Sequence, residues 1–309
     1  MILTVTLNAA LDLTYGVDGL RVGASTRVAE VAERAGGKGV NVSRVLRALG
    51  VDTTVTGLAG GATGRALRRE LAAAGLPDAM AEVAAESRRT VAVVDRRADR
   101  TTMLLEPGPQ VTPAEWARFT GSFAPLAAGA DAVVLSGSLP PGVPADGYAQ
   151  LLRIARRRGL PVLLDAEGEP LLAALPERPT LIKPNADELA ATTGESDPPA
   201  AIARLRAAGA GSVIASLGAE GLLAVTPEGS WRARPPARIT GNPTGAGDAA
   251  VAALAAGLVA GLPWPALLAR AVALSAAAVA APLAGSYDAG LYRRLCEQVA
   301  VLPFDRIPD

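Results

Sequence analysis

The stretch NPTGAGDAAVAALAAGL, residues 242–258, joins a glycine turn to the start of an Ala-rich helix. The backbone N–H groups of Gly245, Ala246 and Gly247 can converge on one point, where the helix dipole adds partial positive charge. Asp248 stands beside this predicted anion site. A carboxylate there can take a proton from a hydroxyl while the amides hold a transferring phosphoryl group. The alternative is that Asp248 only caps the helix after a glycine turn.

The composition narrows the chemistry that the chain can perform. It has no histidine, which excludes Ser-His-Asp and Cys-His machinery and every His-ligated metal site. A general base must therefore be Asp, Glu or, less readily, lysine. The only cysteine, Cys296, excludes an intramolecular disulfide framework and a Cys-rich zinc site, and it fits a reducing cytosol.

A second candidate site is IKPNADEL, residues 182–189. Asn185 and Glu188 have the N-cap-to-N3 spacing of a capping box, which is an adequate structural explanation for both. The functional alternative is that they hold Mg²⁺ through water against nucleotide phosphates. Lys183 favours the functional alternative slightly, because lysine is rare in this chain.

A third candidate site is AGGKGVNVSR, residues 35–44, which contains the other lysine. The 30 basic residues include only Lys38 and Lys183 as lysines, so the remaining 28 are arginine. A lysine kept by chance on the surface is therefore disfavoured. Lys38 offers a compact positive charge and Asn41 a two-way hydrogen-bonding group. The glycines around Lys38 let a ligand approach the backbone closely, and they are Gly36, Gly37 and Gly39.

Two further glycine-containing turns follow predicted strands. SGSLPPG, residues 136–142, lies where open α/β sheets bind ligands, at the carboxyl end of a strand. SLGAEGLLAV, residues 216–225, could lie against a nucleotide base or ribose. Each is also compatible with an ordinary turn. The chain has no G-x-x-x-x-G-K-[ST] motif and no G-x-G-x-x-G after its first strand, which excludes a standard P-loop and dinucleotide fingerprint.

Strands alternate with helices along most of the chain, which predicts an α/β fold with a mostly parallel sheet covered on both faces. Residues 12–34 and 86–106 break this rhythm and read as β-hairpins with polar turns. We expect one domain, residues 1–309. The chain would leave its main sheet twice, at these two hairpins, to form a small β-layer. After Thr244 we expect helices only.

The remaining composition points to a cytoplasmic protein without a membrane or nucleic-acid partner. The formal net charge is zero, so nothing favours broad attraction to nucleic acid or anionic lipid. The start, MILTVTLNAA, does not read as a signal peptide. The most apolar region, residues 249–283, is interrupted by Pro263, Pro265 and Arg270, which predicts buried helices instead of a membrane span.

These stretches together resemble the phosphofructokinase-B group within the ribokinase-like sugar kinases. The resemblance covers almost the whole chain and depends on an ordered set of motifs. They are Asp12 in NAALD, GGKGVNVSR, GGATG at 60–64, Arg88 in SRRT, SGSLPPG, KPNADE, SLGAEG and TGAGD. The family implies a Rossmann-like ribokinase fold with a β-sheet lid, and phosphoryl transfer from ATP to a sugar.

The resemblance also implies roles for individual residues. Asp248 would be the catalytic base beside an anion hole formed by the backbone of Gly245, Ala246 and Gly247. Asn185 and Glu188 would organise Mg²⁺. The nucleotide side would include Lys183, Asn185, Glu188, Ser216, Gly218 and Gly221. The acceptor would be held by Asp12, Gly37 and Asn41 at its hydroxyls, by Lys38 and Arg88 at its existing phosphate, and by Ser138.

The paired Lys38 and Arg88 resemble the 1-phosphofructokinase and tagatose-6-phosphate kinase branch, which implies a ketohexose monophosphate as acceptor. Fructose 1-phosphate, fructose 6-phosphate and tagatose 6-phosphate stay open. We expect Asp248 to be ionised at neutral pH, with its value as a base coming from position instead of a raised pKa. Asn242-Pro243 stand where the family often has Asp-Thr, so a monovalent-cation site in this loop stays an open question.

Two alternatives remain at this point. The first is a kinase of the same fold that acts on a free sugar or a nucleoside, which the cationic pair disfavours. The second is a non-catalytic sugar-phosphate-binding protein, which the intact Asp248 and its glycine turn disfavour. On family grounds we expect a homodimer that associates through the lid sheets, since the hairpins leave a sheet edge open.

Overall fold

The computed structural model describes residues 1–304. Strands and helices alternate along most of this part of the chain, as the sequence predicts. The strands are β1 Ile2–Thr6, β2 Ala10–Val17, β3 Glu30–Gly36, β4 Thr53–Gly60, β5 Ala81–Val83, β6 Arg88–Asp95, β7 Arg100–Leu105, β8 Ala132–Ser136, β9 Val162–Asp165, β10 Leu181–Ile182, β11 Val213–Ser216, β12 Leu222–Thr226, β13 Gly229–Arg234 and β14 Ala300–Pro303.

The helices connect these strands and cover the sheet. They are α1 Lys38–Ala48, α2 Gly61–Ala73, α3 Pro113–Ala128, α4 Gly147–Arg156, α5 Gly168–Ala174, α6 Ala186–Thr193, α7 Pro198–Ala207, α8 Ala246–Val259, α9 Trp264–Val279 and α10 Ala289–Gln298. In residues 1–304, none of the helices combines the length and apolar character needed to cross a bilayer.

The main sheet has ten strands in the order β14-β13-β12-β11-β10-β9-β8-β1-β4-β5. The seven strands from β11 to β5 run parallel, and β12, β13 and β14 extend the sheet with antiparallel pairings. Its central strands β1, β8 and β9 consist entirely of buried residues. The predicted α/β fold with a mostly parallel sheet is confirmed.

The core lies on both faces of the main sheet. One face packs on α3 and α4 through large side chains such as Phe119, Phe123 and Tyr148, all with 0% exposure. The other face packs on α1, α8 and α9, where small alanines of α8 and α9 alternate with leucines such as Leu267. The small side chains let α8 lie close to its neighbours, and this helix carries Asp248 at its start.

A second sheet of four strands has the order β3-β2-β6-β7. Its strands come from the two predicted excursions, β2 and β3 from the first and β6 and β7 from the second. The pairs β2–β3 and β6–β7 are antiparallel, and a parallel pair, β2–β6, joins the two hairpins. We call this sheet the lid. That residues 1–309 act as one kinase domain stays a prediction.

The expectation of helices alone after Thr244 is wrong. Residues Ala300–Pro303 form β14, which pairs with β13 at the edge of the main sheet. This strand has only four residues and follows a helix directly. Such a short run has no measurable period, so its pairing depends on the open edge of β13, which the local sequence does not reveal.

Candidate active site

The glycine turn at 245–247 leads directly into α8, as the sequence predicts. Gly245 is the N-cap with φ of 85°, a left-handed conformation that favours glycine. A side chain there would also collide with the backbone of Ala284, whose Cα lies 2.9 Å from the position of a Cβ atom. The first turn of α8 therefore presents its backbone N–H groups to the cavity, with Asp248 buried in the same turn.

Asp248 accepts a hydrogen bond of 2.8 Å at Oδ2 from Asn41 Nδ2. Burial, followed by the charge of the neighbouring Asp165, raises the pKa of Asp248 to about 7, against the opposing effects of Asn41, Lys38 and Lys183. The expectation of an unraised pKa is wrong. The sequence predicts a buried helix after Asp248 but does not reveal that the carboxylate at its start is itself buried, and this burial is the main cause of the shift.

Asp165, which is buried, joins the two lysines of the chain in one ion-pair network. Its Oδ2 lies 3.4 Å from Lys38 Nζ and its Oδ1 lies 3.5 Å from Lys183 Nζ. Burial would raise the pKa of Asp165, but Lys183 and Lys38 outweigh it and hold the pKa below its usual range. Burial alone would lower the pKa of Lys38, whereas the surrounding carboxylates, Asp165 foremost, raise it.

The sequence reasoning missed Asp165. It is the last residue of β9, at the carboxyl end of a buried parallel strand, where open α/β sheets bind ligands. That position was the available signal, because an acidic residue at the end of a buried strand requires a partner. The structure supplies two partners, both lysines of the chain.

Asn185 and Glu188 form the predicted capping box of α6. Asn185 Oδ1 accepts from the Glu188 N–H at 2.8 Å, and Glu188 Oε2 accepts from the Asn185 N–H at 2.9 Å. The second Glu188 oxygen, Oε1, lies 3.7 Å from Lys38 Nζ. Both side chains also line a cavity. The structural and functional alternatives therefore do not exclude each other.

A cavity of about 420 Å³ lies between the lid and the start of α8. It collects most of the predicted acceptor and catalytic residues. Its polar and glycine lining consists of Asp12, Gly37, Lys38, Asn41, Arg88, Thr90, Asp165, Lys183, Asn185, Glu188, Ser216, Thr244, Gly245, Gly247 and Asp248. Burial raises the pKa of Asp12 to about 6, while a hydrogen bond with Thr90 and the nearby Arg88 oppose the rise.

Arg88 and Ser138 reach this region differently. Arg88 lines the cavity, and two backbone carbonyls hold its guanidinium: Nε donates to Asn8 O at 3.0 Å and Nη1 to Glu106 O at 3.2 Å. Ser138 is exposed and outside the cavity lining; its hydroxyl accepts from Asn8 Nδ2 at 3.1 Å. Ser138 therefore stands outside the lining that the other predicted acceptor residues share, and its contact with the acceptor stays a prediction.

A second cavity, of about 650 Å³, borders the first on the side away from the lid. The two share Asn185, Ser216 and Gly247 in their linings. Gly218 and Gly221 line only the larger one, on the turn after β11. Much of its remaining lining is apolar and belongs to α8, α9 and the loop before α8, namely Ile239, Pro243, Ala246, Ala250, Val272, Ala276 and Val279.

Lys183, predicted on the nucleotide side, lines the smaller cavity instead of the larger one. Its side chain is almost fully buried, and its Nζ lies 3.3 Å from where a Cβ atom of Gly247 would stand. Lys183 thus lies directly under the glycine turn, between the two cavities. A positive charge there adds to the field of the helix N-terminus.

Asn242, which departs from the family's usual Asp, belongs to the loop that precedes this turn. Its Oδ1 accepts from the Thr244 N–H at 3.0 Å, and its Nδ2 donates to Pro282 O at 3.2 Å. The side chain thus joins the glycine turn to the loop after α9.

Within residues 1–304, no group of three or more His, Cys, Asp or Glu side chains could hold a metal ion.

Solved structures similar to this one include phosphofructokinase-2 of Escherichia coli in complex with potassium, with 28% identity, a TM-score of 0.90, and coverage of 96% of this chain and 98% of that one. The same enzyme has been solved with fructose-6-phosphate and as a tetrameric inhibited form. A Thermotoga maritima protein described as a possible 1-phosphofructokinase has 27% identity and a TM-score of 0.89, over 98% and 99% of the two chains.

A ribokinase of Arabidopsis thaliana, solved with ribose and ATP, shares the fold at a TM-score of 0.75, with 20% identity over 96% of this chain and 98% of that one. The model of the pfkB family carbohydrate kinases matches residues 5–288, which is most of the chain. The match contains the glycine-rich loop before α1, the lid strands and the turn at Asp248. The resemblance in the sequence is confirmed, and the chain belongs to the pfkB family of carbohydrate kinases.

Proposed function

We propose that this kinase transfers the γ-phosphoryl group of ATP to a hydroxyl of a ketohexose monophosphate, with Asp248 as the general base. The observation that carries the proposal is the meeting of the two cavities at the glycine turn. One is lined by charged and polar side chains beneath the lid, and the other is largely apolar. A sugar phosphate suits the first and the nucleotide suits the second, so the phosphoryl group crosses at Gly247.

Asp248 has the geometry of a base for this transfer. Asn41 donates to Oδ2, which orients the carboxylate and leaves Oδ1 to accept the proton of the attacking hydroxyl. The pKa of Asp248 is about 7, and a general base is most efficient when its pKa lies close to the working pH. The backbone N–H groups at the start of α8 would hold the transferring group, since its negative charge suits a helix N-terminus.

The substrate class follows from the positive charge beneath the lid. A sugar phosphate is itself an anion, so bringing it next to ATP is electrostatically unfavourable. Lys38 and Arg88 line the acceptor cavity and offset that repulsion. A free sugar or a nucleoside would not need two cations there. Asp12, also in the lining, would accept a hydrogen bond from a sugar hydroxyl.

Kinases of this family use ATP with Mg²⁺. The oxygen donors that fit the ion are Asn185 and Glu188, and their capping-box bonds use Asn185 Oδ1 and Glu188 Oε2. Glu188 Oε1 takes no part in the capping box and lies 3.7 Å from Lys38 Nζ, which fits binding of the ion through ordered water better than a direct cage, as Mg²⁺ often prefers. The ion supplies charge neutralisation between the phosphates. Potassium is bound by the E. coli relative, and a monovalent cation here stays a proposal.

We also propose that two copies associate through their lids. The lid face opposite Asp12 carries Leu13, Val91 and Leu104 side by side, as the register of the strands requires. Leu104 is 57% exposed. An exposed apolar sheet face and an open sheet edge both favour pairing with another chain. The molecular mass in solution distinguishes this dimer from a monomer.

The test of the proposed function is a coupled ADP-release assay across acceptors. The panel contains fructose 1-phosphate, fructose 6-phosphate, tagatose 6-phosphate, fructose, ribose and adenosine, each with ATP and Mg²⁺. We expect turnover with at least one ketohexose monophosphate at a kcat/KM well above that of any unphosphorylated acceptor. A preference for a free sugar or nucleoside would contradict the acceptor class, and no turnover with any acceptor would contradict catalysis.

A further inference from the structure

Asn8 lies at the point where the chain first leaves the main sheet for the lid, in the turn between β1 and β2. It is only 4% exposed. Its side-chain amide donates twice, to Pro107 O at 3.0 Å and to Ser138 Oγ at 3.1 Å. Pro107 belongs to the segment by which the chain returns from the lid after β7. One side chain therefore joins the exit from the main sheet to the return.

The same two segments hold Arg88. Its Nε donates to the carbonyl of Asn8, and its Nη1 donates to the carbonyl of Glu106, the residue before Pro107. Both acceptors of the guanidinium thus belong to segments that the Asn8 amide ties together. An arginine has five N–H donors in a fixed fork, so fixing two of them determines where the others point.

The returning backbone lies directly against the Asn8 amide at Gly108. A Cβ atom on Gly108 would lie 2.1 Å from Asn8 Oδ1, and Gly108 has φ of 109°. Glycine at this position lets the returning backbone lie against the Asn8 amide. The Asn8 amide and the carbonyls that hold Arg88 thus form one connected support outside the lining of the acceptor cavity.

We infer that Asn8 is a positioning residue that fixes Arg88 for the phosphate of the acceptor, and that acceptor selectivity depends on it. This inference rests on the proposed function, in which Arg88 contacts the acceptor phosphate. Asn8 itself does not line the cavity. Its effect on the reaction passes through the two carbonyls that orient the guanidinium.

Removing the Asn8 amide should therefore weaken the binding of the sugar phosphate and not that of ATP. In Asn8→Ala, the carbonyls of Asn8 and Glu106 lose their common support, and the guanidinium samples more orientations. We expect KM for the sugar phosphate to rise about tenfold, which corresponds to about 1.4 kcal/mol. KM for ATP should stay within about twofold, since the nucleotide cavity lies across the glycine turn.

A double-mutant cycle with Arg88→Ala separates positioning from general damage. If Asn8 acts through Arg88, Asn8→Ala changes KM for the sugar phosphate little once Arg88 is alanine. Additive effects in the double variant would overturn the inference and leave the proposed function intact. If Arg88→Ala alone leaves KM for the sugar phosphate unchanged, Arg88 does not bind the phosphate, and both the proposed role and this inference fail.

Two further variants serve as controls for this experiment. Thr180→Ala removes a half-buried hydrogen bond that the Val162 N–H donates to Thr180 Oγ1, 3.0 Å long and distant from the lid. It controls for a general loss of stability, and we expect both KM values to stay near those of the parent. Asn8→Ser retains one donor on a shorter side chain and gives a milder change in the same cycle if Asn8→Ala folds poorly.

Discussion

Asn41 and Asp248, 207 residues apart in the chain, share a buried hydrogen bond of 2.8 Å. The bond joins α1, which follows the glycine-rich loop, to α8, which follows the glycine turn. Both helices begin at glycine turns and lie side by side on one face of the main sheet. This packing places the predicted base beside the residues predicted to bind the acceptor. Burial of the carboxylate raises the pKa of Asp248, although the bond from Asn41 opposes the rise.

Activity should increase with pH through the pKa of Asp248. The proposed base accepts a proton, so it must be ionised, and burial raises its pKa to about 7. We expect kcat at saturating substrates to rise about tenfold per pH unit well below this value and to level off above it. Stopped assays from pH 5 to 9 measure the profile. A flat profile from pH 5 upward would contradict the raised pKa.

The raised pKa of Asp248 should also make the stability of the folded chain depend on pH. In the folded chain Asp248 holds its proton up to about pH 7, whereas the ordinary value is 3.8. This raised pKa favours the folded state at low pH, and the contribution is lost as pH rises from about 4 through 7. Asparagine does not titrate. The melting temperature of Asp248→Asn, relative to the parent, should therefore be higher at pH 8 than at pH 5.

Calorimetry or thermal fluorescence at both pH values measures this difference. Glu228→Gln is a matched control, since Glu228 accepts from Trp264 Nε1 away from both cavities. Its melting temperature relative to the parent should show a smaller dependence on pH between these values. A relative melting temperature of Asp248→Asn that falls between pH 5 and pH 8 would contradict the sign of the Asp248 shift.

Lys38→Ala should weaken acceptor binding and shift the pH profile together. Lys38 lines the acceptor cavity, so KM for the sugar phosphate should rise while KM for ATP changes little. Lys38 also lowers the pKa of Asp248, so its removal should move the midpoint of the kcat profile to higher pH. Arg47→Ala, on the exposed last turn of the same helix, should change neither quantity. An equal rise of both KM values would contradict the assigned role.

Leu104→Asp should weaken the proposed dimer. Leu104 is 57% exposed on the lid face opposite Asp12, and a carboxylate there would be buried without a partner if two lids meet. We expect light scattering to show the mass of a dimer for the parent and a larger monomer fraction for the variant. Leu172→Asp, exposed on α5, is the control. A dimer unaffected by Leu104→Asp would exclude this face.

The sequence predicts those features that follow from local patterns. The glycine turn before α8, the capping box of α6 and the alternation of strands and helices each depend on residues close in the chain. The hairpins of the lid also lie where the break in that alternation predicts them. Asp165 and β14 were missed because their importance depends on distant partners, two lysines in one case and an open strand edge in the other.

The raised pKa of Asp248 also depends on residues that are distant in the chain. The sequence identifies the carboxylate and its glycine turn, but the shift arises from burial and from Asp165, which lies 83 positions earlier in the numbering. The position of Ser138 is comparable. The SGSLPPG motif is evident in the sequence, whereas the Ser138 hydroxyl accepts from Asn8 outside the cavity lining. Side-chain direction at a strand end depends on packing with the lid segments.

The most direct test of the account is the single-turnover rate of phosphoryl transfer in Asp248→Asn at pH 8, with saturating ATP, Mg²⁺ and the preferred sugar phosphate. Loss of the base should lower this rate by about 10²- to 10⁴-fold, while equilibrium binding of both substrates is retained because Asn41 can still donate to the amide oxygen. A rate within about twofold of the parent would show that Asp248 is not the base.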